Sequence, residues 1–389
     1  MLAIIAFVII LGLLVLVHEL GHFITARKCG VTCDEFGFGF PPRFLGVQRK
    51  VGGGWRWVWG ARELTEADTK HGTVYSLNWI PLGGFVKIKG ESGGDGHDKT
   101  SFVGRPVWQR ALILVAGVVM NMVLAVVLLI IAFAIGVPQM SEDAAPAGTI
   151  SSPRFIQVMS VNSKSPADRS DVKPGDVIMS IDGNVFGTVP EIQKYVGDKN
   201  SQVLYYQFRR GQDLITKGIT PQALTGTSTA GIGIGIGEVS IVKYPWYLAI
   251  IYGIKSAGIL LISVLLGFWD LLSGLFRGKM VEGGVAGPVG IASLTGQMAT
   301  LGWAYLINFT AMLSVNLAVI NILPIPALDG GRLLFLLIEK LRGKPIKETT
   351  EAMIHNSFFI LLMLLIAAVT WGDISRLGCL TCRISSWFN

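Results

Sequence analysis

Val17-His18-Glu19-Leu20-Gly21-His22 sets three ionisable side chains inside an apolar N-terminal run, where lipid rather than water is the expected surrounding. At 3.6 residues per turn, His18 and His22 lie one above the other on one helix face, so both imidazoles can reach a single ion. This is the H-E-x-x-H pattern. Two neutral imidazoles plus a carboxylate suit Zn2+ in a tetrahedral site with water in the open fourth position. Glu19, beside that water, is the expected general base. A chance H-E-x-x-H arises in roughly one chain in a hundred of this length, so its position has to add weight. Ionisable groups within a membrane helix cost roughly 2 to 3 kcal/mol each, and persist mainly where they pair, bind ions or do chemistry. The plainer reading is a helix end whose histidines sit at the headgroup level.

The 389 residues are 51% hydrophobic and only 15% charged, which excludes an ordinary soluble enzyme and predicts an integral membrane protein. The net charge of +7 is spread through loops beside apolar spans, as membrane orientation requires, and no nucleic-acid partner is expected. The four cysteines fall into two pairs, Cys29 with Cys33 and Cys379 with Cys382. Neither pair reads as a metal site, and the second could be a disulfide if it faces an oxidising compartment.

Outward from the motif, residues 1–25 read as a retained first span, because no basic region precedes the apolar run. Arg27 and Lys28 place its end in the cytoplasm. Residues 26–106 are glycine-rich and polar, a cytoplasmic-side membrane-associated β region. Within it, Gly83-Gly84-Phe85-Val86-Lys87-Ile88 alternates after a Gly-Gly and reads as a strand. It is either a surface hairpin or an edge that pairs with an unwound, extended substrate. Residues 107–137 form the second span, where Asn121 is expected to bond a neighbouring helix.

Residues 138–228 have soluble-domain composition. A Pro174-Gly175-Asp176 turn, a strand over Val177–Ile181 and an Asp182-Gly183-Asn184 turn resemble PDZ domains, α/β folds that bind a peptide C-terminus by edge addition. This insert is expected on the extracytoplasmic side. Residues 229–300 would be a linker strand and a helix lying in the outer interface, since a crossing over Pro245–Phe276 would part the later aspartate from the histidines. The third span, 301–329, ends in Asn321-Ile322-Leu323-Pro324-Ile325-Pro326-Ala327-Leu328-Asp329-Gly330-Gly331. Two prolines break the helix there, and Asp329 is either the third ligand, a cap for the next helix, or both. Asn316 and Asn321 could hold substrate backbone or polarise its carbonyl, with helix packing the alternative for Asn316. A basic cytoplasmic segment over 330–353, a fourth span over 354–373 and a tail over 374–389 complete about four transmembrane helices, with both termini outside.

Taken in order, these motifs resemble bacterial site-2 proteases of the RseP type over nearly the full chain. The resemblance implies an inner-membrane zinc metalloprotease that cuts transmembrane segments of single-pass proteins, such as anti-sigma factors or remnant signal peptides. It implies His18, His22 and Asp329 as ligands, Glu19 as base, and Asn321 as a substrate contact. It also implies that the strand at Gly83, Gly84, Phe85 and Val86 guides substrate, and that the PDZ-like part restricts access. Asn121 is carried over as a substrate-side residue, although Gly117-Val118-Val119-Met120-Asn121 lacks the proline many members have after the glycine. One PDZ-like domain stands where some members have two. The rivals are a non-proteolytic metal-binding membrane protein and a PDZ scaffold with a membrane anchor. A carrier would favour more polar residues along the spans, and an anchor has no use for Glu19 or Asp329.

Overall fold

In the computed structural model the described residues are 2–381, apart from 51, 61–63, 65–67, 69–70, 92, 94–97, 141–147, 163, 200, 224–229, 278–285 and 345. Cys382 and the side chain of Cys379 lie outside them, so the disulfide expectation is not addressed. The chain divides into two compact units, one of residues 1–128, 254–296 and 309–389, the other of 129–253 and 297–308.

Helix α1 (Leu2–Lys28) is apolar up to Val17, carries His18, Glu19 and His22 in its second half and closes on Arg27 and Lys28, whose charges complement a helix C-terminus. Strands β1 (Cys33–Arg49), β2 (Trp55–Trp59) and β3 (Val74–Ile88) follow and form one sheet. β1 and β3 each serve it twice. Residues 33–38 pair with 84–88 on one side and lie beside 74–77 on the other, while 43–47 pair with 75–78 and then with β2. Residues 84–88 therefore form an outer leg, with β1 on one side only. Gly83 and Gly84 seat that leg on α1, since a Cβ on Gly83 would stand 2.8 Å from Val15 Cγ1 and one on Gly84 3.0 Å from Leu16 Cδ1. The sheet face away from α1 holds a buried bidentate pair, Arg43 Nε and Nη2 donating to Glu35 at 2.7 and 2.6 Å.

Helix α2 (Val107–Ile135) is 29 residues long, about 43 Å, and runs from the first unit into the second. In the second unit, β4 (Val137–Met140), β5 (Ile150–Ser151), β6 (Phe155–Val161), α3 (Pro166–Arg169), β7 (Val177–Ile181), α4 (Val189–Gly197), β8 (Leu204–Arg210), β9 (Asp213–Ile219), β10 (Gln222–Ala223), β11 (Ala230–Gly231) and β12 (Ile234–Lys243) come in order. The main sheet runs β4-β12-β6-β7-β8-β9. Its core is the period-2 inward set of β8, Leu204, Tyr206 and Phe208, closed over by Ile192 and Val196 of α4. The strand expected over Val177–Ile181 is β7, and Asp176 at its head takes Arg210 Nε at 2.7 Å and Nη2 at 2.8 Å.

Helices α5 (Trp246–Phe276), α6 (Pro288–Leu301), α7 (Trp303–Ile322), α8 (Asp329–Arg342) and α9 (Glu348–Thr381) complete the chain. Among the described residues five helices are long and apolar enough, by length and composition alone, to cross a membrane, and the stretch expected to lie in the outer interface, Trp246–Leu271 within α5, is one of them. Asp270 sits at its end, but Lys255 falls near its middle, which leaves residues 256–269 as the uncharged stretch between them. α8 is amphipathic, burying Phe335 and Leu336, and stops at Gly343, whose φ of +70° lets it cap the last turn.

Cys29 and Cys33 are both free thiols. Cys33 packs with Phe23, Val31, Ile88 and Phe102, and this burial, with Asp34 and Glu91 nearby, pushes its thiol up to about 12 against the opposing pull of Arg27. Only thiolate alkylates rapidly, so Cys33 should stay unmodified by a maleimide at pH 8 in folded protein and react once the chain is denatured. Mass mapping of the labelled peptides reads this directly, and labelling of Cys33 in the native fold would contradict the packing.

Candidate active site

The site forms where α1 and α2 touch. Gly21, between the two histidines, admits that contact, since a Cβ there would run into the Ala116 carbonyl of α2. Ile113, Gly117 and Asn121 follow at four-residue spacing and so share the α2 face that meets the histidines. A Cβ on Gly117 would collide with His22 Nε2 and stand 2.8 Å from His18 Nε2.

Asp329 arrives from a broken helix. α7 ends at Ile322, and Pro324 and Pro326 prevent its continuation. Ala327 takes φ +88°, a conformation costing roughly 1–2 kcal/mol for a residue with a Cβ, and its N–H donates to His355 Nδ1 at 3.1 Å. α8 then starts with Asp329 as its first residue. Gly330 and Gly331 allow the tight return, because a Cβ on either would meet the carbonyls of Leu323 or Ile325. Arg332 pairs with Glu91, just beyond β3, which ties α8 to the sheet.

The three side chains converge on one point. Asp329 Oδ2 is 2.9 Å from His18 Nε2 and 3.3 Å from His22 Nε2, and the two Nε2 atoms are 3.1 Å apart. Two ligands at the ends of ~2.0–2.1 Å bonds in a tetrahedral Zn2+ site stand about 3.3 Å apart, so the donor set fits such an ion. Among the described residues this is the one cluster of three such groups able to hold a metal. All lie in the first unit.

The other ring nitrogens fix which tautomer faces inward. His22 Nδ1–H donates to the Ile113 carbonyl at 2.8 Å, leaving the Nε2 lone pair for an ion. His18 Nδ1 lies 3.1 Å from the Asn121 amide, whose Oδ1 is buried without a partner. Turning that amide over lets Oδ1 accept from His18 Nδ1–H, which satisfies the orphan oxygen and frees the His18 Nε2 lone pair as well. Asn121 is held in turn, its backbone carbonyl accepting from Ser314 Oγ at 2.8 Å. Glu19 points to β3, where its carboxylate takes the Val86 amide.

Of the residues singled out from sequence, His18, His22 and Asp329 meet, and Asn121 joins them behind His18. Gly83, Gly84, Phe85 and Val86 lie on the leg of β3 against α1. Asn316 is turned into its own helix, donating to Met312 O at 2.9 Å, and Asn321 sits half-buried on the last turn of α7 without bonding the triad. The contributions of Ile113, Gly117 and Val86 to the site are additions from the structure. The four-residue spacing of Ile113, Gly117 and Asn121 was a usable signal, while the Val86 amide left none.

The peptidase family M50 profile matches residues 6–59 and 58–365. The chain belongs to peptidase family M50. The regulator of sigma-W protease RasP of Bacillus subtilis is 30% identical over 96% of this chain and 98% of its own. Zinc metalloprotease RasP of Bacillus licheniformis is 30% identical over 96% and 99%. Among solved structures, the PDZ domain of an SdrC-like protein from Listeria monocytogenes is 30% identical over 21% of this chain and 85% of that one, with a TM-score of 0.20.

For an M50 site built this way, Gly117→Ala should abolish stoichiometric zinc in the purified protein while leaving helical content intact. Asn121→Ala should weaken zinc affinity about 10–100-fold, as loss of a ligand's hydrogen-bond partner does. Competition with a chromophoric chelator measures both. Unchanged affinity in Asn121→Ala would show that Asn121 does not orient His18.

Proposed function

We propose that this M50 chain is an intramembrane zinc metalloprotease that hydrolyses a peptide bond within the transmembrane segment of a single-pass protein. The observation carrying this reading is the meeting of His18, His22 and Asp329 on one point with Glu19 in the same turn of helix. His18, His22 and Asp329 would hold the ion, and the same donor set accepts other divalent metals. When bound, the ion supplies Lewis-acid polarisation of a water and of the scissile carbonyl.

The chain's own residues do the rest. Glu19 takes the proton of the attacking water and passes it to the leaving amine. The Val86 amide holds the Glu19 carboxylate in place for that transfer. The outer leg of β3, residues 84–88, offers an unpaired strand edge beside Glu19, to which an unwound substrate adds as a further strand. Asn321, at the end of α7, remains the candidate to contact substrate backbone.

The orientation follows from the basic residues. Arg27 and Lys28 end α1, and Lys340 and Arg342 end α8, which supports a cytoplasmic-side position for the catalytic end. His18 is ten residues from Lys28, about 15 Å below that face, within reach of water. Four spans with α5 in the outer interface remain the reading, supported by α6. Gly290 N–H of α6 donates to Asp373 Oδ2 at 2.7 Å, and Gly296 abuts Ala3, so α6 lies at the far end of α9 and α1 from the histidines. α7 then runs from that end to Asp329.

In the second unit, β12 pairs with β6 over Ile234–Val239 but with β4 only from Val239 on. Among the described residues its edge over 234–238 has no strand partner beside α4, whose Val189 N–H donates to Glu238 Oε1 at 2.9 Å. A strand edge beside a helix is the PDZ mode of peptide capture, and a trimmed peptide C-terminus is the proposed occupant. Anti-sigma factors and signal-peptide remnants are the substrate classes we favour.

Purified native protein should cleave within the apolar segment of a reporter from a panel of single-span substrates, and a chelator should stop it until zinc is restored. Glu19→Gln should keep its zinc and lose cleavage by a factor on the order of 10²–10⁴. Zinc-loaded native protein that cuts no panel member, including those lacking an outer domain, would leave a metal-binding protein without protease activity.

A further inference from the structure

The last helix, α9, meets the turn before Asp329 through one side chain. No residue in the most apolar stretch of α9 is buried by the rest of the chain, as suits a helix that faces lipid. Between Glu351 and Asp373 its one ionisable side chain is His355. Such a group is costly in an apolar span and persists where it has a partner. The partner here is backbone, the Ala327 N–H, 3.1 Å from His355 Nδ1. To accept that bond Nδ1 must be the bare nitrogen, so the ring proton is assigned to Nε2. His355 also lines, with Glu91, Arg332 and Glu351, a cavity of about 340 Å³, so its ring is not set against lipid alone.

That amide is the point at which the turn cannot hold itself. Leu323 donates its N–H to the Ile320 carbonyl, Ile325 to that of Leu323 and Leu328 to that of Ile325. Pro324 and Pro326 have no N–H to donate. Ala327 remains, and it is also the residue at φ +88°, a conformation that a residue with a Cβ does not favour. Without an outside partner, Ala327 is drawn back to negative φ, and the chain enters α8 in another direction. Asp329 stands two residues further on, an arm of about 6 Å, so a change of about 20° at Ala327 displaces it by about 2 Å. Metal–ligand distances tolerate only about 0.2 Å. One bond from outside the ligand set thus decides whether the third ligand is within reach of the other two.

We propose that His355 is a positioning residue of the metal centre, which holds Ala327 in the left-handed conformation from which Asp329 is presented to His18 and His22. The last span is then part of the site and not only an anchor, because the turn between α7 and α8 takes its shape from α9. The inference rests on the metal-binding part of the proposed function and not on peptide hydrolysis, so it survives if the proteolytic reading fails.

Zinc affinity of the full chain, read by competition with a chromophoric chelator, tests it. His355→Leu fills a similar volume but offers no acceptor, and its affinity should fall roughly 5- to 30-fold, the factor equivalent to the cost of left-handed φ at an alanine. His355→Asn is smaller but keeps an acceptor oxygen close to the place of Nδ1, and should stay within about threefold of the native value. A ring that served only to fill space would give the reverse order. Adding Ala327→Gly to His355→Leu should restore most of the lost affinity, because glycine takes positive φ without a steric penalty. Helical content equal to the native protein's certifies each fold, and His355→Phe replaces His355→Leu if the latter misfolds. Native affinity in the variant without an acceptor would overturn the proposal, as would a loss that Ala327→Gly does not repair. Native protein that holds no zinc would overturn the metal centre itself and this inference with it.

Discussion

The structure depends on a close approach of two helices in which a glycine stands where a side chain would block the histidines. Gly21 and Gly117 let α1 and α2 meet with His18 and His22 between them. In lipid, helices gain little from apolar contact as such, and small residues at the crossing let packing and polar bonds do the joining. Here the polar bonds also set chemistry. The Ile113 carbonyl and the Asn121 amide each occupy an Nδ1, so both Nε2 lone pairs are directed to the same point.

The third corner is brought 311 positions along the chain from His18 by a break instead of a helix. Two prolines stop α7, Ala327 takes an unfavourable φ, and Gly330 and Gly331 let α8 fold back beneath the carbonyls that the break exposes. His355 and Arg332 hold the two sides of this turn, one through the Ala327 amide and the other through Glu91. Backbone irregularity at membrane depth is tolerated where its polar groups find partners, and this turn is tied by such a bond on either side, although Pro324 and Ile325 stay exposed.

Much of the site was legible because its constraints are local. Four-residue spacing puts His18 and His22 on one face, and the prolines before Asp329 mark a break whatever follows. The sheet was less legible. The alternation after Gly83 signals a strand, but nothing in it reveals that β1 and β3 each double back and serve the sheet twice, since pairing is non-local. Asn121 was legible only in part: its position within a span says that it bonds another helix, but not that the partner, 103 positions away, is the imidazole of His18. The apolar helix α5 shows the limit of topology by counting, because length and composition alone permit a crossing there.

The Val86 amide that takes the Glu19 carboxylate belongs to the same leg of β3 whose edge lies open beside the site. The part that would grip a substrate and the part that positions the base are thus one rigid strand. A chain added to that edge would lie along the strand to which the base is tied, so grip and aim cannot be set independently of each other.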